Sequence, residues 1–401
     1  MYQSEEHIIK KTHSYYKECD EIMFLSKNLY NSCLYEIRQH FFKENFLLSE
    51  KKLYHIMKIH ESYLALPRKV SKMTLKKCHK TFKGWIEASK DYNQNPSKYK
   101  GKPRIPKYLG KTDGRFTTIY EKQAINKGNK LSDTNIVINT QKKNIVEIQI
   151  VPNNKRNHKI CVIYNKPIID LQLNKENIVG IDMGTNNILA LASNINGLKP
   201  ILVKGGKVKS INQWYNKIKS KIQSKLEKGR YSNNNIEEIT EKRNREINHI
   251  FHNISNYVIK ICKENNVGTI VIGKNISWKN EIELGKKNNQ NFCNIPHSRL
   301  INQIKYKAEL YGIVVETTEE SYTSKCSWID NEELKHHTKY VGRRISRGMF
   351  KSKNHIRINA DVNGALNMIR KVFPKAFDNF VQYYKGHGIA GSLGNPVSVY
   401  I

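Results

Sequence analysis

Residues 178–183 read Ile178-Val-Gly-Ile-Asp182-Met183, an apolar run that contains a single carboxylate near its end. Short apolar runs rich in β-branched residues are typical of a buried strand. A carboxylate at the end of such a strand loses hydration, and a cation or hydrogen-bond donors must replace the lost water. The segment therefore predicts both a central strand and a polar site where that strand ends.

The residues that follow this run predict an α/β domain. Three strands come first, at 178–183, 187–193 and 200–204. The later predicted elements are basic helices over about 206–228 and 234–264, a strand at 268–273, a helix at about 296–311, a strand at 312–316 and a helix from near Ala360. Three strands followed by helix–strand–helix–strand–helix is the element order of an RNase H-like fold.

The first part of the chain has two different patterns. Up to about residue 95, apolar residues recur at helical spacing, as in Ile22, Leu29 and Ile37, and we expect the aromatics among them to belong to a core. A Pro- and Gly-containing break at 91–106 follows. Over 104–170, short β-rich runs alternate with polar turns and predict a small sheet or barrel.

Charge and cysteine content limit the function classes. The chain has 69 Lys and Arg against 35 Asp and Glu, a net charge of +34. Such an excess favours a polyanionic partner and salt-dependent binding. No apolar run approaches the ~20 residues of a membrane span, and the N-terminus lacks a secretion signal. Seven dispersed cysteines indicate reduced thiols, so we expect a cytoplasmic, nucleoid-associated bacterial protein.

Asp361 is the second candidate carboxylate. It lies in Asn359-Ala-Asp361-Val-Asn363-Gly-Ala-Leu-Asn367, at the start of the last predicted helix. Taken alone, an acid there is explained by helix capping and by the helix dipole. In an RNase H-like sheet, however, this position lies near the end of the first strand. Asp182 and Asp361 together are then suited to Mg²⁺, which prefers oxygen ligands, and to two-metal phosphodiester cleavage.

Three motifs resemble those of TnpB proteins, the transposon-encoded relatives of type V CRISPR effectors and Fanzor proteins. They are Gly-Ile-Asp182-Met-Gly-Thr, Ser321-Tyr-Thr-Ser-Lys-Cys-Ser and Ala360-Asp361-Val-Asn-Gly-Ala-Leu-Asn367. The resemblance implies an RNA-guided DNA endonuclease that binds a guide RNA from the transposon end and double-stranded target DNA. It would cut beside a short adjacent motif at one RuvC site that uses Mg²⁺ or, in its place, Mn²⁺.

The same resemblance predicts an α/β multidomain chain with an RNase H-like (RuvC) nuclease domain. The predicted parts are a helical recognition lobe at 1–100, whose first residues are candidates for the next part, a β-rich, barrel-like wedge domain at 101–175, the first part of the nuclease at 176–326, a basic insertion at 327–357, and the last RuvC helix with the C-terminal tail at 358–401.

The chain departs from the family pattern at its second catalytic acid. The family places a Glu at the end of the strand that here ends in Gly273. Glu319 and Glu320 follow the neighbouring strand, and an adjacent strand is only ~4.8 Å away, so a Glu there can replace the missing acid. The resemblance favours Glu320, because some members of the family place this acid three residues before the Thr of the Tyr322-Thr-Ser motif. Glu319 is the second candidate, and the alternative is that both residues only flank a turn. Glu281 and Glu283 lie in a polar loop, where we expect them to be solvated.

The zinc ribbon of the family is also reduced here. Cys326 stands without a Cys-x-x-Cys pair, and a set of Cys326, His336, His337 and His355 matches no usual template. We therefore expect no zinc. The insertion is instead rich in basic residues, for which backbone contacts with DNA or a nuclear-localisation tract are the two readings. The residues that we predict to contact nucleic acid are Arg104, Lys107, Arg343, Arg344, Arg347 and Lys351.

Two other functions compete with cleavage. Gly273 motivates a nuclease-inactive, RNA-guided DNA-binding repressor, although the presence of both Asp182 and Asp361 argues against it. An ATPase of the actin and sugar-kinase type also has Asp-x-Gly-Thr after its first strand. The sequence offers no second phosphate loop of that type, and a net charge of +34 is unusual for such an enzyme.

Overall fold

The computed structural model describes residues 1–153, 157–274, 295–346, 348–378 and 393–401. The chain divides into two compact units, Met1–Pro167 and Ile168–Ile401. Each unit combines helices with a β-sheet, so the mixed α/β class predicted from the sequence is confirmed. No helix among the described residues is both long enough and apolar enough to cross a membrane.

The first unit contains a helical part and an antiparallel sheet. Its helices are α1 (Tyr16–Glu44), α2 (Glu50–Met57), α3 (Glu61–Leu64) and α4 (Arg68–Gln94), with 3-10 turns at Pro96–Lys98, Lys122–Ala124 and Lys127–Asn129. Its strands are β1 (Tyr2–Lys10), β2 (Thr118–Glu121), β3 (Ile125–Asn126), β4 (Lys130–Leu131), β5 (Ile145–Pro152) and β6 (Asn157–Asn165). The four longer strands form one sheet in the order β1-β6-β5-β2.

The N-terminal residues of the chain belong to this sheet, because β1 pairs along its whole length with β6. The described strands form an open sheet, and the closed barrel of the wedge domain stays a prediction. The helical spacing in α1 does bury the expected residues: Leu29, Cys33 and Ile37 have no exposed surface. Phe41 packs edge-on against Phe82, at 5.4 Å between ring centres, so this aromatic belongs to the core.

The second unit continues the chain-order labels. Its strands are β7 (Asn174–Met183), β8 (Asn187–Ser193), β9 (Ile201–Lys204), β10 (Val267–Gly273), β11 (Val314–Thr318), β12 (Arg343–Ser346), β13 (Met349–Lys351), β14 (Arg357–Asn359) and β15 (Val397–Val399). Its helices are α5 (Gly206–Gln223), α6 (Asn234–Glu264), α7 (His297–Glu309) and α8 (Ala360–Val372).

The main sheet of the second unit has the strand order β11-β10-β7-β8-β9-β15. Strand β8 runs antiparallel to its neighbours β7 and β9, whereas β10 and β11 are added parallel to β7. Parallel neighbours need crossover connections, which helices usually supply. Here α5 and α6 lie between β9 and β10, and α7 precedes β11. The order of these strands and helices along the chain is the one that the sequence predicted, and β15 adds an edge strand that it did not predict.

The two faces of this sheet pack against different helices. Val179, Ile181 and Met183 of β7 contact the core formed with α6 and α7, whereas Ile178 contacts the core formed with α8. Side chains alternate between the faces of a strand. Asp182 therefore points to the same face as Ile178, which is the face that α8 covers.

Candidate active site

Asp182 lies under the first turns of α8. A Cβ atom placed on Gly364 of that helix would be 2.8 Å from Oδ2 of Asp182, so the carboxylate occupies the space left by this glycine. Burial raises the pKa of Asp182 well above its usual value, and the nearby charges of Glu320 and Asp361 raise it further. The Arg344 guanidinium opposes this shift of the pKa. Asp182 is thus a half-buried carboxyl group within the field of two other acids.

Helix α8 comes close to β7 because a second glycine permits it. A Cβ atom on Gly180 would be 2.8 Å from Cγ1 of Ile369 and would also collide with the carbonyl oxygen of Ala365. Real Cβ atoms do not approach heavy atoms this closely, so any larger residue at 180 would push the helix away. The two glycines, Gly180 and Gly364, therefore set the distance between Asp182 and the helix that carries Asp361.

Asp361 occupies the first turn of α8 without capping it. Asn359 is the N-cap residue, and its Oδ1 accepts hydrogen bonds from the backbone N–H groups of Asp361 (3.0 Å) and Val362 (3.2 Å). Asn359 thus performs the capping role that was the alternative explanation for Asp361. The Asp361 carboxylate instead accepts a hydrogen bond from Nδ2 of Asn187 at 2.6 Å, and Nη2 of Arg344 lies 3.6 Å from its other oxygen.

Glu320 enters the site from beyond the end of β11. Strand β10 lies between β11 and β7, with Gly273 opposite Thr318 of β11. A Cβ atom on Gly273 would be 2.6 Å from Cγ of Glu320 and would collide with its Oε1. The Glu320 side chain therefore passes through the space that a larger residue at 273 would fill. It approaches Asp182 closely enough that its charge raises the pKa of that group.

The turn that carries Glu320 is fastened to α8 by two fully buried asparagines. Nδ2 of Asn367 donates to the carbonyl oxygens of Thr323 and Cys326, at 2.8 Å each. Asn363 donates to the Cys326 carbonyl at 2.9 Å and accepts from the Trp328 backbone N–H at 3.0 Å. Thr323 in turn donates from its hydroxyl to the Glu320 carbonyl at 2.8 Å. These bonds fix the backbone at Glu320 relative to α8.

Glu319, the second candidate, is placed differently. Its side chain is exposed and accepts a hydrogen bond from the Ser321 hydroxyl at 2.7 Å. Its charge is not among those that raise the pKa of Asp182. Glu281 and Glu283 lie outside the described residues. Of the two acids after β11, Glu320 is therefore the one whose side chain lies next to Gly273.

The three acids fit a hard divalent cation in chemistry and charge. All their ligand atoms would be carboxylate oxygens, which Mg²⁺ and Mn²⁺ accept, and a cation would offset the repulsion that raises the pKa of Asp182. Within the described part of the chain, no group of three or more His, Cys, Asp and Glu side chains is placed so that it could hold a metal ion. Their present grouping is thus looser than a closed coordination shell.

The predicted nucleic-acid contacts are scattered over both units. Arg104 and Lys107 are exposed in a segment without regular structure. Arg343 and Arg344 are exposed on β12, and Lys351 is half-buried on β13. Arg344 is the one of these with a described contact to the carboxylates. Arg347 lies outside the described residues.

The four zinc-ligand candidates contact other groups. Sγ of buried Cys326 donates to the carbonyl oxygen of Glu333 at 3.3 Å. Nε2 of His337 lies 2.8 Å from the same carbonyl, and the His336 ring lies edge-on to Tyr322 at 6.3 Å. His355 is exposed in a turn with a positive φ of 62°. The buried carboxylate of Glu332 joins the two ends of this segment, because it accepts hydrogen bonds from the backbone N–H groups of Ser327 and Val341.

Sequence reasoning gave no role to Asn187, Asn363 or Asn367, which hold Asp361 and the Glu320 turn. A signal for the latter two was present, because residues four apart on a helix share a face, and two asparagines on the apolar side of a helix need buried partners. Asn187 gave no comparable signal. Its role follows from its position at the start of β8, beside the first turn of α8.

Comparisons with known proteins agree with this fold. The chain is similar to the complex described as "Cryo-EM structure of the Cas12f1-sgRNA-target DNA complex", with a TM-score of 0.55 and 17% identity over 88% of this chain and 83% of that one. At this identity the likeness shows the fold alone. Two family models match, mostly within the second unit. OrfB_IS605, described as "Probable transposase", matches residues 159–279, and the Cas12f1-like TNB domain matches residues 297–368.

A curated relative gives the same assignment. The TnpB-like protein ORF457 of Acidianus two-tailed virus is 24% identical over 242 residues, which are 56% of this chain and 48% of that protein. The match thus spans about half the length of this relative. The two matched family models are similar to the part of the chain that carries the α/β sheet and its acids. The chain is thus similar to TnpB-type proteins over part of its length.

Proposed function

We propose that this protein is an RNA-guided DNA endonuclease of a transposable element that cuts double-stranded DNA beside a short adjacent motif. One observation carries the proposal: Glu320 lies in the space beside Gly273, and Glu320 and Asp361 both approach Asp182 closely enough that their charges raise its pKa. Similarity to TnpB-type proteins and the net charge of +34 support it.

In this proposal Asp182, Glu320 and Asp361 are the metal-holding catalytic residues. Two bound Mg²⁺ or Mn²⁺ ions would supply activation of water and stabilisation of the leaving oxygen in phosphodiester hydrolysis. Asn187 orients Asp361 by its 2.6 Å hydrogen bond, and Nζ of Lys204 holds Asn187 from the other side at 3.1 Å. The fully buried Asn363 and Asn367 keep the Glu320 turn against α8.

The partners in this proposal are a guide RNA from the transposon end and a double-stranded target DNA. In such complexes base pairing supplies sequence specificity, and the protein binds the backbone through a basic surface. The exposed basic residues Arg104, Lys107 and Arg343 suit that role. Cas12f1, whose fold this chain shares, was solved in a complex with an sgRNA and target DNA.

The alternative is a nuclease-inactive repressor that binds the same RNA and DNA. Gly273 favours this reading, because it removes the acid at the usual position. The position of Glu320 opposes it, because a chain that had lost cleavage would have no use for an acid that fills this gap beside Asp182.

The first test is purification followed by cleavage. We expect the protein to co-purify with RNA and to cut a plasmid bearing the matching target when Mg²⁺ is added. Glu320→Gln should lower the cleavage rate more than ~100-fold, because a catalytic carboxylate is lost, while the matched Glu319→Gln should leave it unchanged. Equal rates for wild type and Glu320→Gln would remove Glu320 from the site. Duplex binding without cleavage by the wild type would favour the repressor.

A second test measures metal binding without activity. The pKa of Asp182 is raised from 3.8, so the folded chain keeps a proton that the unfolded chain releases. The contribution of Asp182 to the stability of the folded chain therefore falls as the pH rises above ~3.9, the ordinary pKa of an Asp. Above the raised pKa the ionised Asp182 destabilises the folded chain. We expect Asp182→Asn to have a higher Tm than wild type in EDTA at neutral pH. Added Mg²⁺ should raise the Tm of wild type but not that of Asp182→Asn, and an equal rise in both would place the ion elsewhere.

A further inference from the structure

Helix α5 carries charge of one sign only. Its residues Gly206–Gln223 include five lysines and no acidic residue. Its buried face, formed by Val208, Asn212 and Tyr215, packs towards the sheet and α6. The side chain of Asn212 accepts a hydrogen bond from Nε of Arg243 on α6 at 2.8 Å, so this face packs within the unit.

The opposite face of α5 is a basic stripe with one aromatic residue, which we call the α5 stripe. Its members, Lys207, Trp214, Lys217 and Lys221, are all exposed, and their spacing of seven, three and four residues places them on one face. Trp214 is 39% exposed, and Nζ of Lys242 from α6 lies 5.1 Å from the centre of its ring. A large exposed ring among ammonium groups offers both stacking and charge to a nucleic-acid strand.

The α5 stripe begins next to the candidate active site. The backbone N–H of Gly205, just before α5, donates to the Asn186 carbonyl at 2.7 Å, and Nζ of Lys209 contacts the side chain of Asn186. Asn187, the next residue, holds Asp361. At 1.5 Å per residue, Trp214 lies ~12 Å along the helix from its start. A strand that follows the stripe therefore leads towards the three acids.

We propose that the α5 stripe binds a single-stranded segment of the DNA strand that is being cut. Lys217 and Lys221 contact its phosphates, and Trp214 stacks on one of its bases. The choice of this strand rests on the proposed cleavage function, because the strand next to the acids is the one that reacts. Charge complementarity supports the site, since α5 has no acid, whereas the first turns of α6 include Glu237, Glu238 and Glu241.

The test uses the full chain with its guide RNA in Mg²⁺-free buffer, so that binding is measured apart from cleavage. Fluorescence anisotropy with a labelled oligodeoxythymidylate gives the affinity at several salt concentrations. Trp214→Ala should weaken binding about tenfold with no change in the salt slope, because stacking is lost. Trp214→Phe should retain most of the affinity. Lys217→Gln with Lys221→Gln should lower the salt slope by ~1.4, about 0.7 for each lost phosphate contact.

Lys260→Gln is the matched control, because Lys260 is an exposed lysine on α6 that pairs with Glu264 at 3.7 Å. It should change neither affinity nor slope. The proposal is overturned if Trp214→Ala binds as wild type does, or if the double lysine variant behaves like Lys260→Gln. It is also overturned if the variants lose co-purifying RNA while their DNA binding is unchanged. If the wild type fails to cut but the variants still bind DNA less tightly, cleavage is refuted and the α5 stripe stands.

Discussion

Helix α8 presents Asp361 from its first turn, whereas Glu320 comes from the turn that follows β11. Asp361 stands on a regular element that is capped by Asn359 and is held directly by Asn187. Glu320 stands on an irregular segment whose backbone is fastened to α8 by Asn367 through Thr323 and Cys326. Its side chain also depends on the absence of a side chain at Gly273.

The difference shows two ways of placing an acid in one site. A helix terminus fixes an acid by local geometry, so one cap and one neighbour are sufficient. An acid on a turn needs buried hydrogen bonds to its backbone and an open path for its side chain. We therefore expect the Glu320 side of the site to be more sensitive to substitutions at residues that hold no metal.

The largest effect on the cleavage rate is expected from Gly273→Ala. The added methyl group would lie 2.6 Å from Cγ of Glu320 and from Cε of Met368, so Glu320 must move. Small displacements of catalytic groups cost ~100-fold in rate, and we expect a loss of at least this size in plasmid cleavage. Gly84→Ala is the control, because a Cβ atom there would contact nothing within 4 Å. Wild-type cleavage by Gly273→Ala would show that Glu320 does not need this space.

An intermediate effect is expected from Asn367→Ala. It removes two buried 2.8 Å hydrogen bonds and should lower the free energy of unfolding by about 1–3 kcal/mol. Cleavage should fall ~10–100-fold, as for other residues that orient metal ligands. If Asn367 acts through Glu320, its effect on cleavage disappears in the Glu320→Gln background. An undiminished effect in that background would assign Asn367 a purely structural role.

The smallest effect on cleavage is expected from Asn359→Ala, which removes the cap of the helix that carries Asp361. Loss of the cap should cost ~1 kcal/mol of stability in chemical denaturation, with no more than a several-fold loss of cleavage, because Asn187 still holds Asp361. This loss should persist in the Glu320→Gln background. A loss as large as that of Gly273→Ala would mean that Asp361 depends on the cap more than on Asn187.

The sequence predicted the parts of this site that local pattern determines. The run 178–183 predicted the central strand, and alternation along β7 explains why Asp182 faces α8. The order of elements predicted the sheet, because parallel strands need crossovers. The N-terminal strand β1 was not predicted as a strand, because its pairing with β6 joins residues 147 to 163 positions apart. Within the β-rich region predicted over 104–170, residues 135–139 form no strand, and Val137 makes only an isolated bridge to Lys130.

The candidate site was predicted less completely for a similar reason. Glu320 was chosen from strand adjacency and from the resemblance, but its path beside Gly273 depends on three neighbouring strands and on α8. The bond from Asn187 to Asp361 joins residues 174 positions apart. A local sequence pattern cannot predict a hydrogen bond between residues so far apart in the chain. Only the packing of α8 across β7, which Gly180 permits, brings these groups together.

The most direct measurement moves the acid from one strand end to the other. Gly273→Glu combined with Glu320→Gly restores an acid at the end of β10 and vacates the space that Glu320 fills. We predict that each single variant cuts target plasmid at least ~100-fold more slowly than wild type, and that the double variant recovers to within about tenfold of it, a coupling expected for residues that share one space. A double variant no faster than Glu320→Gly alone would contradict the claim that Glu320 completes the site across Gly273.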